Sequence, residues 1–151
     1  MCEYCGCRQV EPIAELMDEH LALLDLAGDL RRALLAGDLS TAEELRGRLV
    51  VLLTSHVGLE EEGVFAALKA HGDFVDQVVE LEEEHVTLDA TFGALDLTGP
   101  DVVPLLDRAV ADLSEHIDKE DLGIFPVAVV TLGATGWAIV DQARTARAAE
   151  V

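Results

Sequence analysis

The feature that most restricts the fold is a set of four apolar stripes, each of which contains one histidine. Within each stripe the residues recur at spacings of three and four, which places them on one face of a helix that packs against a partner. The stripes are Ile13, Leu16, His20, Leu23 and Ala27; Leu45, Leu49, Leu52, His56 and Leu59; Phe74, Val78, Leu81, His85, Leu88, Phe92 and Leu95; and Val102, Leu105, Ala109, Leu113 and His116. No segment alternates as a strand does, so we expect an all-α protein.

Turn residues divide these stripes into separate helices. Pro12 suits a first helical turn, and Ser40 or Thr41 is predicted to cap the second helix. The predicted helices cover about residues 12–36, 40–70, 74–95 and 102–123. Because the connections are short, neighbouring helices should be antiparallel, which predicts an up-down-up-down four-helix bundle with a short extra C-terminal helix. The predicted divisions are a cysteine-bearing leader, the bundle and a C-terminal helical extension (residues 1–11, 12–126 and 127–151).

Composition and charge exclude several classes of partner. A chain of 151 residues has room for one domain with a real core, and its formal net charge of -20 repels the phosphates of nucleic acids. The uncharged stretch from Leu122 to Val140 is interrupted by Pro126, Gly133 and Gly136, which favours a buried segment over a membrane span. No secretory signal opens the sequence, so we expect a cytoplasmic protein without a membrane partner.

The four stripe histidines point to a shared metal site. A single buried imidazole is more often a hydrogen-bonded core residue, but one histidine on each of four helices is difficult to explain by packing. His56 and His116 also begin matching motifs in which Glu60 and Glu120 follow one helical turn later, on the same face. The neighbouring Glu61 is interpreted, like Glu62, as part of a solvated acidic face.

The chemistry of these donors favours two cations. Carboxylates can bridge metals, and mixed nitrogen and oxygen ligation suits iron or manganese, whereas structural zinc sites usually recruit cysteine. Iron is therefore the expected metal. The predicted ligands are His20, His56, Glu60, His85, His116 and Glu120.

At these motifs the chain resembles the hemerythrin and HHE cation-binding family. The paired H-x-x-x-E motifs, each followed by a phenylalanine, carry the resemblance over about residues 12–126, together with the acidic residues that precede His20 and His85. It implies two non-haem iron ions with two carboxylate bridges and an oxo or hydroxo bridge. His20 and His56 would bind one ion and His85 and His116 the other, while the bridges would be Glu60 and either Glu120 or Asp121.

One position departs from the oxygen-carrying members of that family. They have a second histidine on the third helix, one turn before the position of His85, where this chain has Leu81. The second iron should therefore keep an open or water-filled position, unless a nearby carboxylate such as Glu82 occupies it. An open position is what peroxide or nitric oxide chemistry needs.

Three functions remain open at this point. The resemblance implies a protein that binds dioxygen, nitric oxide or related small ligands for sensing, buffering or iron and oxygen handling. The alternatives are a di-iron redox enzyme acting on peroxide or nitric oxide, and a plain bundle that binds adventitious metal.

Two groups of residues stand apart from the predicted site. Cys2, Cys5 and Cys7 are too closely spaced for packing residues; they could bind metal, contact a redox partner by thiol–disulfide exchange, or have no function. His71 lies at a helix end beside Gly72, where a solvated or C-capping histidine is the ordinary case.

Overall fold

The computed structural model describes residues 6–150, and every regular element in this range is helical, as predicted. A short 3-10 turn at Cys7–Gln9 precedes the helices. Two π-helical segments each connect two α-helices without a break: the first π segment is Glu60–Phe65 and the second is Glu120–Ile124. The α-helices are α1 (Glu11–Leu35), α2 (Leu39–Leu59), α3 (Ala66–His71), α4 (Val75–Gly93), α5 (Val102–Lys119), α6 (Phe125–Thr131) and α7 (Ala134–Ala149).

The helix ends follow local chemistry. Pro12 lies in the first turn of α1, where its missing N–H costs no helical hydrogen bond. The predicted cap of α2 was wrong: Asp38 is the N-cap, and its carboxylate accepts hydrogen bonds from the Thr41 backbone N–H at 3.1 Å and hydroxyl at 2.7 Å. Gly72 ends α3 with a φ of 98°, a left-handed conformation that glycine adopts without strain.

The long helices pack in a ring that encloses the centre of the molecule. Helix α1 packs against α2 and α5, and α4 packs against the same two helices. Buried apolar side chains form two separate clusters, one toward each end of the ring. The larger includes Leu30, Leu49 and Leu106, and the smaller includes Ile13 and Phe65.

Two stripe positions were assigned to the wrong leucine of an adjacent pair. Leu105 is 52% exposed, whereas Leu106 is fully buried. In α2 the buried residue is Leu53 rather than Leu52, which is only partly buried. Both members of each pair satisfy a spacing of three or four, so periodicity alone could not distinguish them.

The C-terminal part continues the helical packing. Helix α6 follows the second π segment directly, and α7 packs against α3 and the first π segment. Within residues 6–150, no helix is long and apolar enough to cross a membrane.

The cysteine leader is described only from residue 6 onward. Cys7 is fully buried in the smaller apolar cluster and is disulfide-bonded, so the expectation that it is not a packing residue was wrong. Cys2 and Cys5 lie outside the described residues.

Candidate metal centre

Six polar side chains lie buried between the two apolar clusters, at the centre of the helix ring. They are the predicted ligands His20, His56, Glu60, His85, His116 and Glu120, none more than 4% exposed. Burying so many ionisable groups is costly unless each is paired or binds a cation. Their convergence therefore marks this level of the bundle as the candidate site.

Glu60 faces histidines from three helices. Its Oε1 lies 2.8 Å from His56 Nε2 and 3.3 Å from His20 Nε2. Its Oε2 lies 3.1 Å from His85 Nε2. The single carboxylate thus extends from the pair formed by His20 and His56 to the opposite pair.

Glu120 makes the reciprocal set of contacts. Its Oε1 lies 2.9 Å from His116 Nε2 and 3.2 Å from His85 Nε2. Its Oε2 lies 3.0 Å from His20 Nε2. Both carboxylates therefore connect the two histidine pairs, which is the arrangement that bridging between two cations requires.

Ligand atoms from these side chains form two groups, in each of which all atoms lie within 4.8 Å of one another. His20 and His56 belong to one group, His85 and His116 to the other, and both groups share Glu60 and Glu120.

Several of these atoms have no hydrogen-bond partner despite their short separations. The unpartnered atoms at the site are His20 Nε2, both ring nitrogens of His56, both Glu60 oxygens and Glu120 Oε2. Buried polar atoms are rarely left without a partner in proteins. Nitrogen and oxygen donors that lie close together without bonding one another fit a pair of metal ions with mixed ligation.

The two π segments begin at the two central carboxylates. Such segments often mark functional sites, because the wider turn changes which side chains face inward. Each segment leads to a phenylalanine that stacks on a histidine of the opposite pair. The ring centroids of Phe65 and His85 are 5.5 Å apart, and those of Phe125 and His20 are 5.8 Å apart.

A family of known proteins shares this set of motifs. Residues 11–128 match the model of the hemerythrin HHE cation binding domain. The chain belongs to this family. It has no significant match among curated proteins or solved structures.

The outer nitrogens of the HHE domain's histidines contact a second set of carboxylates, which the sequence analysis missed. His20 Nδ1 donates to Asp121 at 2.9 Å, and His85 Nδ1 donates to Glu61 at 3.0 Å. Glu61 is therefore not simply a solvated residue. Asp121, the alternative bridge, lies outside both ligand groups, so the structure places Glu120 rather than Asp121 among the central carboxylates.

The other two outer carboxylates immediately precede histidines in the chain. His116 Nδ1 donates to Glu84 at 2.7 Å, while His56 Nδ1 lies 3.8 Å from Glu19, beyond hydrogen-bond distance. Carboxylates in this position fix the tautomer and orientation of a metal-binding imidazole. The repeated Glu-His dipeptides were the sequence signal that could have identified them.

The electrostatics of the HHE site favour charged histidines when no metal is bound. Burial lowers the pKa of His20, but contacts with Asp121 and the central carboxylates outweigh it and raise the pKa to about 12. Burial also lowers the pKa values of His85 and His56, but contacts with nearby carboxylates outweigh it. They raise the pKa of His85 to about 11 and that of His56 to about 9. The pKa of Glu120 falls to about 2, since its histidine contacts outweigh burial and repulsion by Glu60.

Metal binding should therefore release protons. A metal replaces the protons on the imidazoles, so at pH 7 we expect release of several protons per chain and an affinity that rises with pH. Calorimetry in buffers of different ionisation enthalpy measures this number directly. A titration without proton release would contradict the assigned histidine ligands.

The same shifts predict how stability of the metal-free domain depends on pH. Because the folded-state pKa of His56 lies above its ordinary value of 6.5, its contribution to stability is fully present below about pH 6.5. This contribution is lost as the pH rises through about 9. Urea unfolding of the metal-free protein between pH 6 and 10 measures the loss, and unchanged stability over that range would contradict it.

Three further residues discussed from the sequence do not belong to the two groups of donors. Leu81 is buried in the smaller apolar cluster. Glu82, proposed as a substitute ligand, instead pairs with Lys69 at 2.6 Å, because its side chain lies on another face of α4. His71 is 3.5 Å from Asp73 and well exposed, and neither group of donors includes it.

A small cavity adjoins the four histidines on the side of the larger apolar cluster. Its volume is about 10 Å³, and its other walls include Leu23, Leu53 and Leu113. A space of this size admits about one water-sized molecule. The geometry therefore favours a very small ligand over an organic substrate at this position.

Proposed function

We propose that this HHE domain holds two iron ions and binds dioxygen, nitric oxide or related small ligands. The observation that carries the proposal is the pair of ligand groups sharing Glu60 and Glu120. His20 and His56 would hold one ion and His85 and His116 the other, with an oxo or hydroxo bridge between the ions. The nitrogen and oxygen donors, without thiolate, support iron over zinc.

The fold supports this arrangement. We propose that the ring of α1, α2, α4 and α5 is an up-down-up-down four-helix bundle. Short turns join α1 to α2 and α4 to α5, and α2 continues through the first π segment and α3 to the turn that precedes α4. In this topology each histidine comes from a different helix and meets the others at one level. The apolar clusters above and below then limit access of water to the centre.

When bound, iron would supply a redox-active centre at which a small molecule can be held. The protein's own residues would orient the imidazoles through Asp121, Glu61 and Glu84, and restrict the size of the ligand through the histidine-lined cavity. Sensing, buffering, or iron and oxygen handling are the roles that fit such a binding protein.

A second candidate function is a redox enzyme acting on peroxide or nitric oxide. Leu81 favours it, because a leucine has no lone pair to offer where oxygen carriers of the family have a histidine. We also propose a redox partner that acts by thiol–disulfide exchange through Cys2, Cys5 and Cys7, on the close spacing of the three cysteines in the sequence.

The experiment that tests the proposal is iron analysis and an optical spectrum of protein purified under air. We expect two irons per chain and a spectrum that changes on addition of azide or, after reduction, nitric oxide. Substoichiometric iron, or a spectrum indifferent to both ligands, would contradict the proposal. Turnover of added hydrogen peroxide would favour the enzyme over the binding protein.

Substitution of Leu81 tests the open coordination position. Leu81→His should add a fifth imidazole near His85 and lower the affinity for azide by about tenfold or more, since the added ligand competes for the same position. Azide titration of the iron-loaded protein measures the change. Leu81→Asn is the control, because it introduces a polar group without an imidazole. Equal azide affinity in Leu81→His and the unsubstituted protein would show that position 81 does not face the metals.

A further inference from the structure

The two halves of the site repeat one another at several matched positions. The first half contains His20 and His56, and the second contains His85 and His116. Aligning the histidines pairs Leu16 with Leu81, Glu15 with Glu80, Gly63 with Gly123 and Val64 with Ile124. The two halves can therefore be compared directly within one chain, and they differ in what covers their outer faces.

In the first half, α7 covers this outer face. Only about 20 Å³ of space remains between Glu15, Leu16 and Val64 on one side and Val140 and Arg144 of α7 on the other.

Small apolar residues and an ion pair hold α7 in this position. A Cβ on Gly63 would lie 3.6 Å from Ala143 Cβ and 3.7 Å from Val140 Cα, so the helix approaches the first π segment closely. At the edge, Arg144 donates hydrogen bonds to both carboxylate oxygens of Glu15, at 2.7 and 3.1 Å.

In the second half, no residue within 6–150 fills the equivalent groove. A cavity of about 340 Å³ lies there, and its walls include the counterpart residues Glu80, Leu81 and Ile124. A Cβ on Gly123 would meet nothing within 4 Å. We name this space the open groove; its walls are Phe74, Gln77, Glu80, Leu81, Lys119, Gly123, Ile124 and Val127.

We propose that the open groove is a docking surface for an amphipathic helix of a partner protein, with small or β-branched apolar residues on one face and an arginine at its edge. Helix α7 shows that this shape accepts such a helix, since Val140, Ala143 and Arg144 fill the equivalent groove of the first half. Helix-in-groove recognition uses anchors at this spacing.

The charge of the groove complements an arginine-bearing helix. Glu80, the counterpart of Glu15, is 68% exposed, and its nearest cation is Lys119 Nζ at 3.9 Å. The lysine is already engaged by Glu84. The net charge of -20 further favours a basic partner.

Docking at this surface would contact the wall of the second half of the site. The second π segment begins at Glu120, and Leu81 lies one helical turn before His85 on α4. The partner would thus lie close to the residues that hold the second cation. The docking proposal itself depends on the shape and charge of the groove and not on bound metal.

The test uses a blocked synthetic peptide with the sequence of residues 134–149, titrated into the ¹⁵N-labelled full chain. We expect saturable chemical-shift changes at Leu81, Gly123, Ile124 and Val127. Gly123→Leu should abolish them, because the new side chain fills the groove, and Glu80→Lys should weaken binding by repelling the arginines. Gly93→Leu is the matched control, since Gly93 is also exposed with open space around it but lies outside the groove.

Three outcomes would overturn the proposal. The first is the absence of shift changes up to the solubility limit of the peptide. The second is binding that persists in Gly123→Leu, or changes confined to residues around Gly63, which indicate exchange with α7. The third is binding of a small apolar dye in the open groove that the peptide does not displace, which would identify the groove as a small-molecule pocket.

Discussion

We expect replacement of Glu60 by glutamine to abolish stoichiometric binding of both metal ions in the proposed centre. The carboxylate contacts His20 and His56 through one oxygen and His85 through the other, so each of its oxygens would serve a different cation in the proposed centre. A neutral amide of the same shape offers only one good acceptor and no charge to offset the cations. Iron content after dialysis, measured by elemental analysis, should fall from two per chain to less than one.

Glu62→Gln is the matched control for this substitution. Glu62 lies two residues further along the same π segment, but its side chain is 58% exposed and pairs with Arg147. The Glu62→Gln protein should therefore retain both metal ions. Glu61→Gln should have an effect intermediate between those of Glu60→Gln and Glu62→Gln. We expect its metal affinity to fall by about 10- to 100-fold, as for a carboxylate that orients a metal-binding histidine. Two tightly bound irons in a folded Glu60→Gln protein would remove Glu60 from the ligand set.

Removal of metal should produce the largest change in stability. A ligand that binds only the folded state at 100 to 1,000 times its Kd stabilises that state by about 2.7 to 4.1 kcal/mol. For a chain of this size, each kcal/mol shifts Tm by about 2 to 4 °C, so the metal-free protein should melt about 5 to 15 °C lower. The cause is the buried set of ionisable side chains, which lose the cations that compensate their burial.

Differential scanning calorimetry before and after chelation measures this shift, with metal loss verified independently. Glu60→Gln provides the control, because its melting temperature should not respond to the chelator. Coincident melting curves for the loaded and metal-free native protein would contradict a metal bound by the folded core.

The sequence predicted the helices and the residues that meet at the centre for a simple physical reason. A histidine within an apolar stripe must lie inward, and Glu60 and Glu120 follow their histidines by one helical turn. These relations hold within a single helix, so they do not depend on the relative positions of the helices along their axes. All six residues are buried together in the structure.

Features that depend on contacts between helices were not predicted. The pairing of Glu84 with His116 and of Asp121 with His20 requires the relative level of two helices, which the spacing along one helix does not define. The choice of Leu53 over Leu52 depends on the rotation of α2 by a fraction of a turn. The position of α7 was also missed, because Gly63 and Ala143 provide close approach rather than a strong apolar pattern.

The most direct test of the central claim is anomalous diffraction at the iron edge from crystals of the iron-loaded protein. We expect two peaks inside the helix ring, one beside His20 and His56 and one beside His85 and His116, with Glu60 and Glu120 between them. A single peak at the centre, or peaks only on exposed carboxylates at the surface, would contradict it.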